Sequence, residues 1–309
     1  MHATDASIAY VIVGALGIVH SKSWGTSFTS SNIEEYPDVR VISESLKRHV
    51  VHANGGQIDL FMMSWQKNME KIFKTSIYPA FGNVVAARYE DNSCYQKLVN
   101  KSSWSQLSYS LSISFGAKMV TDFVSQTRAG LPYSAIVFAR ADLMYLADFV
   151  IPALPRNTVY CDCCLPSRRF PNGFGDNVLV VRYENLDAFV TFFDANTKVP
   201  GTIDSHHWIF PRLREKNVFL LPFADTHTVI YRNLKHVKNI DCEKVASYGM
   251  RTNECTRLGI PSKTPKNMSF LTSRDFVFHD ACHRSEGEQC FMERKSAGPV
   301  GSNVPRSVN

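Results

Sequence analysis

Ile8-Ala-Tyr-Val-Ile-Val13 is an unbroken apolar run, rich in β-branched and aromatic residues, and Gly14-Ala-Leu-Gly17 closes it. A strand that is apolar at every position must be covered on both faces. That is the habit of a parallel sheet, not of a half-solvated antiparallel one. The apolar stretch continues to Val19, a length that also fits a signal-peptide core. The residues before it carry Asp5 and no Lys or Arg, and no small-x-small site follows, so the run is read as a first buried strand.

The same signature returns at Ile58-Asp-Leu-Phe-Met-Met63, Asn83–Tyr89, Ser134-Ala-Ile-Val-Phe-Ala139 and Val178-Leu-Val-Val181. Shorter runs at Thr158–Tyr160 and Val218–Leu221 read as strands too. Between them, helical patterns are expected over 41–51, 66–73, 104–127, 186–193 and 203–214. Tyr78-Pro79 reads as a helix break. In the longest pattern Leu107, Leu111, Phe115, Met119 and Phe123 recur every four residues and define one apolar face. Strands alternating with helices over about 220 residues predict an α/β fold: a mostly parallel, Rossmann-like sheet flanked by helices.

Past Lys235 the apolar periodicity fades. The expected organisation is a nucleotide-binding type of α/β domain over 1–235, an irregular cysteine-containing extension over 236–297, and a disordered tail over 298–309. The balance of 44 % hydrophobic and 20 % charged residues is that of an ordinary globular protein. The net charge of +6 suits a polyanionic ligand, but the basic residues are scattered, which argues against a nucleic-acid arm. No stretch approaches the roughly 20 apolar residues of a membrane-spanning helix.

Of the eight cysteines, Cys242, Cys255, Cys282 and Cys290 lie in the last part of the chain. Cys161-Asp-Cys-Cys164 has neither zinc-finger nor redox spacing and is read as packing or pairing with that tail. His279-x-x-Cys282-His283 with Cys290 fits zinc or disulfides; disulfides or burial are preferred because no clean ligand quartet is visible. The even count and the sequons Asn100-Lys-Ser102 and Asn267-Met-Ser269 favour a glycoprotein of a Golgi-type or secretory lumen, with the cytoplasm as the alternative.

Ligands of open parallel sheets bind beyond the C-terminal ends of the strands, so the chemistry is sought there. Gly14-x-x-Gly17 lacks the third glycine of a dinucleotide fingerprint. It is a tight turn, or a place where backbone approaches a nucleotide. Arg140-Ala-Asp142 ends an apolar strand. Asp142 can hold a divalent cation or a ribose hydroxyl there, or the two can form an ion pair. Asp176 is a candidate general base or a turn residue. Asp204-Ser-His-His-Trp208 packs an acid, two imidazoles and an indole together, with Asp204 alternatively a helix N-cap.

Taken in order, these stretches resemble GT-A-type glycosyltransferases, and more narrowly a glycosyltransferase-like group of algae, large viruses and capsule-type gene sets. The resemblance runs from Ile8 to Asn233. It rests on Val11-Ile-Val-Gly14, Asp59-Leu-Phe-Met-Met-Ser-Trp65, Tyr78-Pro79 through Glu90, Tyr133 through Leu143, Gly173-Phe-Gly-Asp-Asn177, the acidic position near Asp204, and Arg232-Asn233. It implies transfer of a sugar from a nucleotide-sugar donor to a hydroxyl of a carbohydrate or glycoconjugate acceptor.

Asp142 then stands in the place of the Asp-x-Asp metal motif, which implies Mn²⁺ or Mg²⁺. Arg140 replaces the first aspartate and can itself balance diphosphate charge. Gly14, Gly17, Trp65, Arg140, Asp142 and Asn177 are the implied donor contacts. Asp176 or Asp204 is the implied base, and His206, His207 and Trp208 are the implied acceptor contacts. The group often carries a basic residue after the glycine turn; this sequence departs from that, with Ile18-Val19-His20 there. The alternative is a nucleotide- or carbohydrate-binding interaction protein of the same fold without catalysis.

Overall fold

The computed structural model describes residues 7–16, 36–91, 104–128, 130–151, 153–161 and 177–197, and within 213–260 residues 213, 216, 218–222, 228–231, 242–249, 253, 255, 256 and 260. The first apolar run is strand β1 (Ile8–Gly14), paired in parallel with β2 (Ile58–Ser64) on one side and with β4 (Ala135–Arg140) on the other. β3 (Asn83–Tyr89) continues outward from β2, also in parallel. With β5 (Leu143–Tyr145), β6 (Thr158–Cys161), β7 (Val178–Val181), β8 (Phe219–Pro222) and β9 (Thr228–Ile230), the strands form two sheets. The larger has the order β3-β2-β1-β4-β7-β6-β8, and β5 with β9 makes a small antiparallel pair. The mostly parallel α/β expectation therefore holds. Only β7 runs against its neighbours in the large sheet, a reversal that the all-apolar Val178–Val181 does not announce.

Burial on both faces explains the apolar strands. Odd positions of β1 (Ala9, Val11, Val13) face one core and even positions (Tyr10, Ile12) the other. Helix α1 (Val39–Leu46) starts at Asp38, whose carboxylate accepts from the Arg40 N–H, and runs on into a wider turn over 47–51. With α2 (Glu70–Ser76) and α3 (Tyr78–Phe81) it covers the even face. Tyr78-Pro79 opens α3 instead of stopping a helix. Proline is tolerated in a first turn because its missing N–H would have had no intrahelical partner there.

The long helix α4 (Trp104–Thr127) covers the odd face with α5 (Asp187–Val190) and α6 (Phe192–Thr197). Its buried line is Ile113, Gly116, Ala117, Val120 and Val124, with Leu111 and Phe123 at the margins and Phe115 and Met119 only half-buried. A row taken every fourth residue drifts by about 40° per step around a helix, so the sequence row crosses the true core face obliquely.

Helix α7 (Cys242–Ala246) and the residues after it return to the even face. Cys242 and Cys255 form a disulfide, and Tyr248, Cys255 and Ile260 are buried in the same core as β1 and α1. His49 accepts or donates at both ring nitrogens, to Asp148 at 2.8 Å and to the Tyr248 hydroxyl at 3.0 Å, while Arg48 lies over the Tyr248 ring. Cys161 is buried in β6. Cys94, Cys163, Cys164, His279, Cys282, His283 and Cys290, the sequons, and the expected disordered tail over 298–309 lie outside the described residues. So does the expected helix over 203–214, apart from Leu213.

Candidate functional site

From β1 the sheet grows toward β2 and β3, and from β4 toward β7, so the strand order turns between β1 and β4. The crevice outside their C-terminal ends is the switch point at which open α/β sheets bind ligands. Four of the sequence-predicted residues meet there: Gly14, Arg140, Asp142 and Asn177. Gly14 closes β1 with φ of 93°, a left-handed conformation that side-chain-bearing residues rarely adopt. Among the described residues, nothing stands within 4 Å of where a Cβ would project from it. Glycine is needed here for its backbone angle, and the residue is half-buried at the end of the strand.

Arg140 is the last residue of β4. Its N–H donates to the Asn177 carbonyl at 3.2 Å, which sets Asn177 beside it, and the Ala141 N–H donates to the Val13 carbonyl at 3.1 Å. The guanidinium then folds onto Asp142. Nε donates to Oδ1 at 2.9 Å and Nη2 to Oδ2 at 3.1 Å, a bidentate pair. Asp142 is 0 % exposed, and Arg140 keeps 18 % of its side chain exposed. The Tyr231 N–H donates to the Asp142 carbonyl at 2.9 Å, so the small β5–β9 sheet fixes the aspartate's main chain from behind.

Trp65 has its backbone at the crevice and its ring elsewhere. Its N–H donates to the Gly14 carbonyl, but the indole is buried under α4, donating from Nε1 to Ser112 Oγ at 2.6 Å and packed on Phe115. The ring serves the core of the odd face. Gly17, Asp176, Asp204, His206, His207 and Trp208 lie outside the described residues.

Gln66 was not anticipated. Its buried side-chain amide pairs in both directions with the main chain of Leu16: the Leu16 N–H donates to Oε1 at 2.7 Å, and Nε2 donates to the Leu16 carbonyl at 3.0 Å. Its own N–H donates to Ser64 Oγ. The amide acts as one more strand residue and fixes the chain just past Gly14. The sequence signal was modest: one amide side chain directly after a buried strand and Trp65. Gln66→Leu strands both Leu16 groups without partners, at about 1–3 kcal/mol each. We expect its urea midpoint to fall by the equivalent of about 2–6 kcal/mol, with the slope unchanged.

A divalent cation takes carboxylate oxygens at about 2.0–2.6 Å. Both Asp142 oxygens are bonded to Arg140, and no cluster of three or more His, Cys, Asp or Glu side chains able to hold a metal occurs among the described residues. As arranged, the described residues do not fit Mn²⁺ or Mg²⁺ at Asp142. None of the described helices is long and apolar enough to cross a membrane.

Among solved structures, the chain is similar to the nucleoside-diphosphate-sugar pyrophosphorylase of Vibrio cholerae, with 8 % identity, a TM-score of 0.41, and coverage of 77 % of this chain and 98 % of that one. It is also similar to the CTP:phosphocholine cytidylyltransferase of Streptococcus pneumoniae, with 10 % identity, a TM-score of 0.39, and coverage of 75 % and 96 %. No family model and no curated protein matches it.

Proposed function

We propose that this chain binds a nucleotide-sugar at the crevice between β1 and β4 and transfers the sugar to a hydroxyl of a carbohydrate or glycoconjugate. The observation that carries this reading is the convergence of Gly14, Arg140, Asp142 and Asn177 where the strand order turns. Gly14 has no side chain to hold a phosphate or sugar away from the end of β1. Arg140 brings the positive charge that a leaving nucleoside diphosphate requires. An inverting transfer also needs a base for the acceptor hydroxyl. Asp176, next in sequence to Asn177, and Asp204 are the candidates, with His206, His207 and Trp208 toward the acceptor and Gly17 toward the donor.

A second reading, a nucleotide- or carbohydrate-binding protein of the same fold without catalysis, is favoured by one feature. The carboxylate at the motif position is engaged by Arg140 at both oxygens.

A thermal-shift series with UDP-, GDP- and CMP-linked sugars separates these. A ligand at 100 times its dissociation constant adds about 2.7 kcal/mol of stability. We expect one nucleotide class to stabilise the full chain and its free nucleotide to be released when acceptor is added. Stabilisation without release selects the binding protein, and no stabilisation by any donor overturns both.

A further inference from the structure

We infer that the crevice meets the diphosphate of a nucleoside diphosphate with the Arg140 guanidinium and no divalent cation, and that Asp142 is a positioning residue for Arg140, not a metal ligand. The inference rests on the donor site proposed above.

The first support is the state of Asp142. Its side chain is fully buried, and its two oxygens accept from Nε and Nη2 of one guanidinium. A cation at those oxygens would have to break a bidentate pair and then sit beside the displaced positive charge. Backing away is opposed by the Tyr231 N–H on the Asp142 carbonyl and by the buried neighbours Ala141 and Leu143.

The second support is the orientation of the pair. The aspartate side chain is 0 % exposed and the arginine side chain 18 % exposed, so the arginine is the member of the pair that reaches the surface. An anion at this strand end therefore meets the arginine and not the carboxylate. A planar guanidinium also matches the oxygens of a phosphate in a way that the point charge of lysine does not.

The third support is location. Val13 of β1 pairs with Arg140, and Gly14, which carries no side chain, follows directly. A diphosphate lying against Gly14 is therefore beside the strand end that carries Arg140. Asp142→Asn keeps the size of the side chain but turns an NH₂ group toward a donor, so the fork loses one of its two anchors.

The test is isothermal titration of the full chain with UDP, GDP and CDP, in EDTA and then in Mn²⁺. We expect one of them to bind in EDTA with a dissociation constant within about threefold of that in Mn²⁺, a difference well below the tenfold that 1.4 kcal/mol makes. Arg140→Lys, which keeps the charge and loses the fork, should weaken that binding on the order of tenfold or more. Asp142→Asn should weaken it in EDTA and Mn²⁺ alike, with melting temperature recorded for both variants as the folding control.

Binding that appears only with Mn²⁺ overturns the inference and leaves the proposed function standing. This arm needs only the unmodified chain, so it decides even if a variant fails to fold. Unchanged affinity of a folded Arg140→Lys also overturns the inference. Absence of binding by all three nucleotides in both conditions overturns it together with a donor site for any nucleoside-diphosphate sugar.

Discussion

Asp59→Ala is expected to remove about 3–5 kcal/mol of stability, the cost of taking one partner from a buried charged network. Asp59 is the second residue of β2 and is buried. Asn83 Nδ2 donates to its Oδ1, the Tyr133 hydroxyl donates to its Oδ2, and Arg128 Nη1 lies 3.8 Å from Oδ2. Arg128 in turn donates from Nε to the Leu131 carbonyl and lies over the Tyr133 ring at 4.2 Å.

Burial first, and then the bond to Asp59, push the Tyr133 phenol above its ordinary value, so it stays protonated and donating. One carboxylate thus ties β2, the start of β3, the approach to β4 and the end of α4 together. Removing it leaves a buried guanidinium beside an empty space and a phenol without its acceptor. Against a total stability of about 5–15 kcal/mol, that loss is a large share. Urea unfolding at constant slope measures it. A loss below about 1 kcal/mol would show that the network does not hold this end of the sheet. The network lies at the edge opposite Arg140, so a variant that remains folded should keep its nucleotide affinity.

Gly116→Leu should cost about 3 kcal/mol, the upper end for overpacking a filled core. A Cβ at Gly116 would stand 2.7 Å from Val11 Cγ1, 3.3 Å from Phe138 Cε1 and 3.4 Å from Val13 Cγ1. Valine is β-branched and stiff in a strand, so Val11 cannot rotate away, and the helix must lift from β1 and β4. Gly116→Ala is the graded control. It suffers the same first contact but gains about 1 kcal/mol of helix propensity, and we expect a net loss of about 1 kcal/mol. If leucine were tolerated as well as alanine, the close approach of α4 to the sheet would be refuted.

These two positions show where sequence reading stops. The bounds of β3 and α4 and the parallel core of the sheet were legible, because apolar runs and helical spacing are local patterns. Gly116 was not, since a glycine that permits close approach looks like any other until the partner strand is known. Asp59 stood out as a charge in an apolar run, but its partners Arg128 and Tyr133 lie far along the chain. β5 and β9 are too short to carry a pattern of their own. At the crevice, Arg140 and Asp142 were visible as a pair, with ion pairing among the alternatives. That the aspartate lies beneath and the arginine toward solvent depends on burial, which two-residue spacing does not encode. Trp65 shows the reverse case: position in sequence put it at the crevice, while its ring belongs to α4.

The reversed direction of β7 has a consequence for how such a chain can diversify. β6 ends at Cys161 and β7 begins beside Asn177, at the same edge of the sheet as the ends of β1 and β4. The connection between them is therefore anchored at both ends by neighbouring strands of fixed spacing. Doubling the length of such a connection adds only about 0.6 kcal/mol of closure entropy. Insertions and deletions there leave the register of the sheet and the Arg140–Asp142 pair alone. The ends of β6 and β7 thus let the chain between them change in length while the strands on either side keep their places.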